Sequence, residues 1–269
     1  VITREFAGAA QTQPLPVLDD ESARELLQEL VPDVLSAEPE LRDRIVGAAG
    51  GLPLALTLIG GSIASSPAAL FREFSEAALE DAGELIEPEN RLKLAAKRLG
   101  DRGGPITLED TVILSLDALP EHAVSAFHAL GAFAAKPDHF SRDAAQEVAN
   151  TDARTIMLLG ARNLVEIVGA DVMVHQVLMD VARTKLDQAA VARHRGHYLK
   201  LVEQNSRDWK RIEAAYGQVK HAWGSISDRT MVRWLFALYD YQHRRGLWRD
   251  QSNWCEHTLG LAKTHSWTE

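Results

Sequence analysis

Gly50-Gly51-Leu52-Pro53-Leu54-Ala55 is the stretch on which the reading of this chain turns. Paired glycines end a helix readily, because glycine takes a positive φ without steric penalty. Proline then suits the first position of the next helix, where no backbone N–H is needed and φ is already helical. The residues that follow are almost all apolar, so a helix buried on most sides is predicted from about Leu54 to Ala64. Upstream, Leu41, Ile45 and Ala48 share one face of a helix expected from about Glu40 to Ala49. Asp19 and Asp20 offer an N-cap and favourable charge to a helix over Glu21 to Leu30, whose apolar face is Leu26, Leu27 and Leu30. Leu15-Pro16-Val17-Leu18 reads as a short extended piece, and Val1 to Arg4 as the tail of a β-strand.

Downstream, a helix is expected from about Pro67 to Leu79. The run Gly100-Asp101-Arg102-Gly103-Gly104-Pro105 then carries linker punctuation and marks a domain boundary. Beyond it helices are predicted over about Leu108 to Leu116, Glu121 to Phe133, Ser141 to Ala149 and Asp152 to Arg162. Leu164 to Val168 and Val172 to Val174 are rich in β-branched residues and are split by Gly169-Ala170-Asp171, which reads as a hairpin. Short helices closed by a small hairpin suggest a winged helix. From about Gln176 the chain is predicted helical, with breaks near Asp187, Ser206, Ser225 to Asp228 and Gly246. Leu235, Leu238 and Tyr239, then Gly246-Leu247-Trp248, then Trp254, Leu259 and Ala262 resemble one helix-turn-helix unit of a tetratricopeptide (TPR) array. The same spacing fits any amphipathic helical hairpin. The expected fold class is mainly α: a helical domain, a winged-helix domain with a small β-hairpin, then TPR-like α-helical hairpins.

A chain of 269 residues that is 46% hydrophobic can bury more than one core, and about two domains are expected from its length. Its formal net charge of -9 provides no global positive field, which makes nucleic acid an unlikely main partner. The most apolar run, Leu52 to Ala64, falls short of the roughly 20 residues that span a bilayer, so no membrane segment is expected. The single cysteine, Cys255, can form neither an internal disulfide nor a cysteine-based metal site, which fits a cytoplasmic setting. His194 and His197 lie three apart on a predicted helix and could share a metal, but Arg193 and Arg195 beside them disfavour a cation. His243-Arg244-Arg245 reads as a solvated helix end.

Gly50-Gly51-Leu52-Pro53-Leu54-Ala55, placed after two short helices, is similar to the GLPLA motif of NB-ARC domains, the ATPase module of many STAND-class signalling proteins. In that family the proline packs against adenine and the helix it opens frames the nucleotide pocket. The resemblance therefore implies that Gly51, Leu52 and Pro53 lie on the adenine side of an ADP or ATP site. Val174-His175-Gln176, after the hairpin and at the mouth of a helix, resembles the family's Met-His-Asp motif, whose histidine reaches the β-phosphate of ADP. Histidine can donate a hydrogen bond to phosphate, and a helix N-terminus favours anions. Valine replaces the methionine and glutamine replaces the aspartate, so any latch built on that motif lacks its carboxylate charge. Thr3-Arg4 resembles a strand-end sensor in which Arg4 approaches the terminal phosphate. On this resemblance residues 1–18 are a remnant of a nucleotide-binding domain, 19–100 a helical domain of NB-ARC type, 105–190 a winged helix and 191–269 a TPR-like helical region.

No Gly-x-x-x-x-Gly-Lys-Ser/Thr occurs, nor any Gly-Lys pair, so these residues are not expected to hydrolyse ATP by themselves. The loop is expected to precede Val1. The resemblance implies a nucleotide-dependent switch whose partners are an upstream nucleotide-binding domain and proteins that dock on the C-terminal helices. The alternative is a winged-helix DNA-binding transcriptional regulator with a helical sensor region. Its reading helix would be the one over Asp152 to Arg162, where Arg154, Arg162 and Asn163 surround an otherwise apolar face.

Overall fold

Helix α1 (Asp20–Leu30) starts where the sequence predicts, because the Asp19 carboxylate accepts the Ser22 N–H at 2.8 Å. It packs on α2 (Pro39–Ala49) and α3 (Pro53–Ala64). The structure is a computed structural model that describes residues 17–32, 39–64, 108–117, 119–206 and 208–265. The strand tail with Arg4, the helix expected over Pro67 to Leu79 and the linker at Gly100 to Pro105 lie outside the described residues.

The three helices enclose a small apolar cluster that includes Leu27, Ile45, Leu56, Ile59 and Ile63. Leu58, on the other side of α3, belongs to a second and larger cluster. That two-sided burial is why α3 shows almost no polar face. Two adjacent glycines let it be approached from both directions: a Cβ on Gly60 would stand 2.8 Å from Leu30 Cδ1, and one on Gly61 would stand 2.5 Å from Asn163 Nδ2. Asn163 also donates from Nδ2 to the Thr57 carbonyl at 2.8 Å, tying α3 to a turn 106 residues away.

The larger cluster begins with α4 (Leu108–Asp117), which packs on α3, and α5 (Glu121–Leu130). After them come β1 (Phe140–Ser141), α6 (Arg142–Ala149), α7 (Ala153–Ala161), β2 (Glu166–Val168), β3 (Asp171–Met173) and α8 (Gln176–Arg183). The strands form one antiparallel sheet in the order β1-β3-β2, with Phe140 opposite Val172 and Ile167 opposite Val172 on the other side. The hairpin agrees with the sequence expectation, whereas β1 is new: two residues are too few to display an alternating pattern. Ser141, expected inside a helix, ends that strand and caps α6 by accepting the Ala144 N–H at 3.1 Å.

Helix α5 also stops earlier than Phe133. Residues 131–135 are buried without being helical, and their backbone groups are taken by side chains from far along the chain. Arg183 donates to the carbonyls of Gly131 and Phe133 at 3.1 and 2.9 Å. Gln218, itself buried, accepts from the Ala134 N–H at 2.9 Å and donates to the Ala134 carbonyl at 3.2 Å. Each partner supplies what an interior backbone group needs to leave water.

Gln218 lies on α10 (Trp209–Trp223), which follows α9 (Gln188–Gln204) and precedes α11 (Thr230–Arg244) and α12 (Trp248–Thr264). Their breaks fall at the predicted places. Helix α9 packs on α5, α6, α10 and α11, and α11 packs on α12. The apolar cluster is continuous from Val112 to Trp254, so the residues from 191 onward share a core with those before them. The fold is mainly helical with one small antiparallel sheet.

Candidate functional site

The turn before α3 is built around two left-handed glycines, Gly50 at φ 58° and Gly51 at φ 69°. Gly51 is boxed in by the extended segment ahead of α1: the Leu18 N–H donates to its carbonyl at 2.9 Å, and a Cβ here would lie 2.2 Å from the Leu18 carbonyl oxygen. Only glycine meets both demands, so the turn is held in one shape. Gly51→Ala should therefore lower unfolding stability by about 2 kcal/mol, combining left-handed strain with a backbone clash. Urea denaturation reads this directly, and a loss under about 0.5 kcal/mol would mean that the turn simply relaxes.

Held this way, Leu52 and Pro53 project outward. Leu52 is 37% exposed, Pro53 is exposed, and Val17 beside Gly51 is 57% exposed. The result is an apolar surface at the N-terminus of a helix whose first-turn N–H groups lack intrahelical partners. It can take a flat apolar ring and place anionic groups near the positive end of the helix dipole.

His175 sits between β3 and α8 and is the N-cap of that helix, half-buried, its Nδ1 accepting the Val177 N–H at 3.3 Å. With Nδ1 occupied as an acceptor, the neutral ring carries its proton on Nε2, a donor with no hydrogen-bond partner among the described residues. Helix α3, which starts at Pro53, and helix α8, which His175 caps, both pack on α4. Gln176, the next residue, turns to Asp180 and donates to it at 2.7 Å.

Other residues singled out in the sequence have structural duties. His194 is buried against Phe133 and Tyr198, while His197 touches the same Tyr198 ring but pairs its Nδ1 with Glu147 at 2.5 Å. At the C-terminal end of α7, Arg162 is buried and Asn163 is committed to α3, leaving Arg154 as the exposed one of the three residues considered for groove reading. His243, Arg244 and Arg245 are exposed at the end of α11, as a solvated helix end requires, and Arg245 also makes a two-armed ion pair with Glu213 at 2.6 and 2.8 Å and lies over the Trp209 ring. That arrangement depends on a partner 32 residues away and has no local sequence signal.

An open polar groove of about 970 Å³ lies between α6, α7 and α9, lined by His122, Asp143, Glu147, Asp152 and Arg193 among others, and includes neither Pro53 nor His175. Among the described residues no helix is long and apolar enough to cross a membrane. The chain matches no protein-family model and no curated protein.

Proposed function

We propose that this chain is the sensing part of an ATP/ADP-dependent signalling switch of NB-ARC type. Residues 19–100 act as its helical domain, 105–190 as its winged helix and 191–269 as a TPR-like arm for protein partners. The observation that carries the proposal is the Gly50–Pro53 turn: a rigid double-glycine bend presents Leu52 and Pro53 at a helix N-terminus. The order of elements supports it as well. The run α5, β1, α6, α7, β2, β3 is the winged-helix order, and His175 follows the last strand with Nε2–H available.

In this reading adenine packs on Pro53, with Gly51 and Leu52 beside it, and the β-phosphate of ADP accepts from His175. Arg4 approaches the terminal phosphate. A phosphate-binding loop is supplied by a segment outside these 269 residues, so hydrolysis belongs to the larger assembly. Exchange of ADP for ATP shifts the arrangement of helical domain and winged helix only to the extent that the two nucleotides bind its states differently. The face of α7 left outside the core makes this reading stronger than a DNA-binding regulator, because of Ala153, Arg154, Met157, Gly160 and Ala161 only Arg154 is a cation that could meet a phosphate or a base.

The test is ADP titration by calorimetry of a longer protein that carries a nucleotide-binding domain ahead of residue 1. His175→Asn keeps an N-cap side chain but is too short to reach phosphate, and should weaken ADP about tenfold, the worth of one charge-assisted hydrogen bond. Pro53→Ala should also weaken it. Undiminished ADP affinity in both variants overturns the proposal.

A further inference from the structure

Helix α11 carries a line of large side chains that the described fold leaves uncovered. Val232, Phe236 and Tyr239 are 40%, 80% and 55% exposed, and their spacing puts them on one face. His243 extends the line by one turn, stacking on Tyr239 at 5.9 Å and meeting the half-exposed Trp248 of α12 edge-on at 4.6 Å. Met231, Trp234, Leu238 and Tyr241, on the other side of α11, fill the core. A single exposed apolar residue is ordinary, but an aligned row that runs into an aromatic cluster marks an interaction surface. From Val232 to His243 the row is about 17 Å long, three helical turns.

One edge of this row is basic. Arg229, Arg233 and Arg244 border it on the helical wheel, with Asp240, the one carboxylate on α11, among them on the same edge. Glu203 neutralises Arg233 through contacts of 2.9 Å, whereas Arg229, Arg244 and the neighbouring Arg249 form no ion pair among the described residues. A cationic border on a chain of net charge -9 selects for the charge of whatever covers it.

We propose that this face of α11 docks an amphipathic α-helix of a partner protein, one with an apolar stripe flanked by acidic residues. A helix presenting apolar side chains at i, i+3 or i+4 and i+7 matches the row of Val232, Phe236 and Tyr239 in length and spacing. Its acidic flank meets Arg229 and Arg244. The proposal rests on the reading of the C-terminal helices as a partner-binding arm and is independent of nucleotide binding.

The experiment uses the full chain and two labelled synthetic helical peptides of about 16 residues, with the same leucine stripe and with glutamate or lysine on the polar face. Fluorescence anisotropy should show the glutamate peptide binding, at least about tenfold tighter than the lysine peptide and less tightly as salt is raised. Phe236→Glu should reduce that binding at least about tenfold, as loss of a central anchor does. At 80% exposure the substitution leaves the core alone, which an unchanged circular dichroism spectrum and melting curve will confirm. Equal binding of both peptides, or binding indifferent to Phe236→Glu, overturns the proposal. So does a dimer in sedimentation that Phe236→Glu dissociates, since a second copy would then be the occupant. Failure of both peptides removes the docking face while leaving the ADP titration, which reads other residues, to stand or fall alone.

Discussion

Lowering the pH from 6.5 toward 3 should destabilise this protein steeply, and His194 should carry a large part of the loss. Its ring is buried beneath Phe133 and Tyr198, with the His221 ring 5.8 Å away, and its Nε2 has no hydrogen-bond partner among the described residues. Burial is the main reason its pKa falls to about 3. Repulsion from His221 on α10 and from His197 and Arg195 on its own helix adds to this, and hydrogen bonding with Gln218 opposes it. Because the folded value lies below the ordinary 6.5, the unfolded chain takes up this proton first as pH falls. The stabilisation is complete above pH 6.5 and is lost progressively down to about 3. At about 1.4 kcal/mol per pH unit, the full loss is on the order of 4 to 5 kcal/mol. His128 and His221 are also held low, each chiefly by burial, so they steepen the same window. Urea denaturation at a series of pH values between 6.5 and 5.5 isolates the histidines, since ordinary carboxylates are still largely ionised there. His194→Leu should flatten the slope by about one proton's worth. An unaltered slope would remove His194 from the account.

Phe133→Ala is expected to cost about 3 to 5 kcal/mol, the usual range for removing a buried aromatic ring. The ring stacks on Phe140 at 3.8 Å and meets His194 and Tyr198 edge-on at 4.8 and 6.3 Å. It therefore joins the start of β1 to α9, while its carbonyl holds Arg183 of α8. Emptying that position leaves a cavity at the place where the sheet-bearing unit meets the C-terminal helices. Thermal and urea unfolding measure the loss, and a change under about 1 kcal/mol would mean that the neighbouring rings collapse into the space.

Gly51 and His175 show how far local chemistry reaches. Both were legible because the signals lie within a few residues: paired glycines before a proline, and a polar residue between a β-branched pair and an amphipathic helix. The structure adds why the first position tolerates no side chain, since the obstructing atom belongs to Leu18, 33 positions away in the chain. It also gives His175 its tautomer through the Val177 N–H. The row on α11 was only half visible. Leu235, Leu238 and Tyr239 mark an amphipathic helix, but which of its apolar residues stay outside depends on where α9, α10 and α12 pack.

The sequence by itself determined the capped start of α1, the breaks between the C-terminal helices, the hairpin and the double-glycine turn, because caps, breakers and periodicity act over one or two turns of chain. It also determined that α3 would be buried, through its lack of a polar face. Only the tertiary structure decided what surrounds these elements. The strand Phe140–Ser141 exists because β3 is there to pair with it, and residues 131–135 leave the helical ladder because Arg183 and Gln218 supply their backbone partners. The exposures of Pro53 at the head of α3 and of Phe236 on α11 were decided in the same way. Burial is a property of the neighbours that arrive, and those neighbours come from distant parts of the chain.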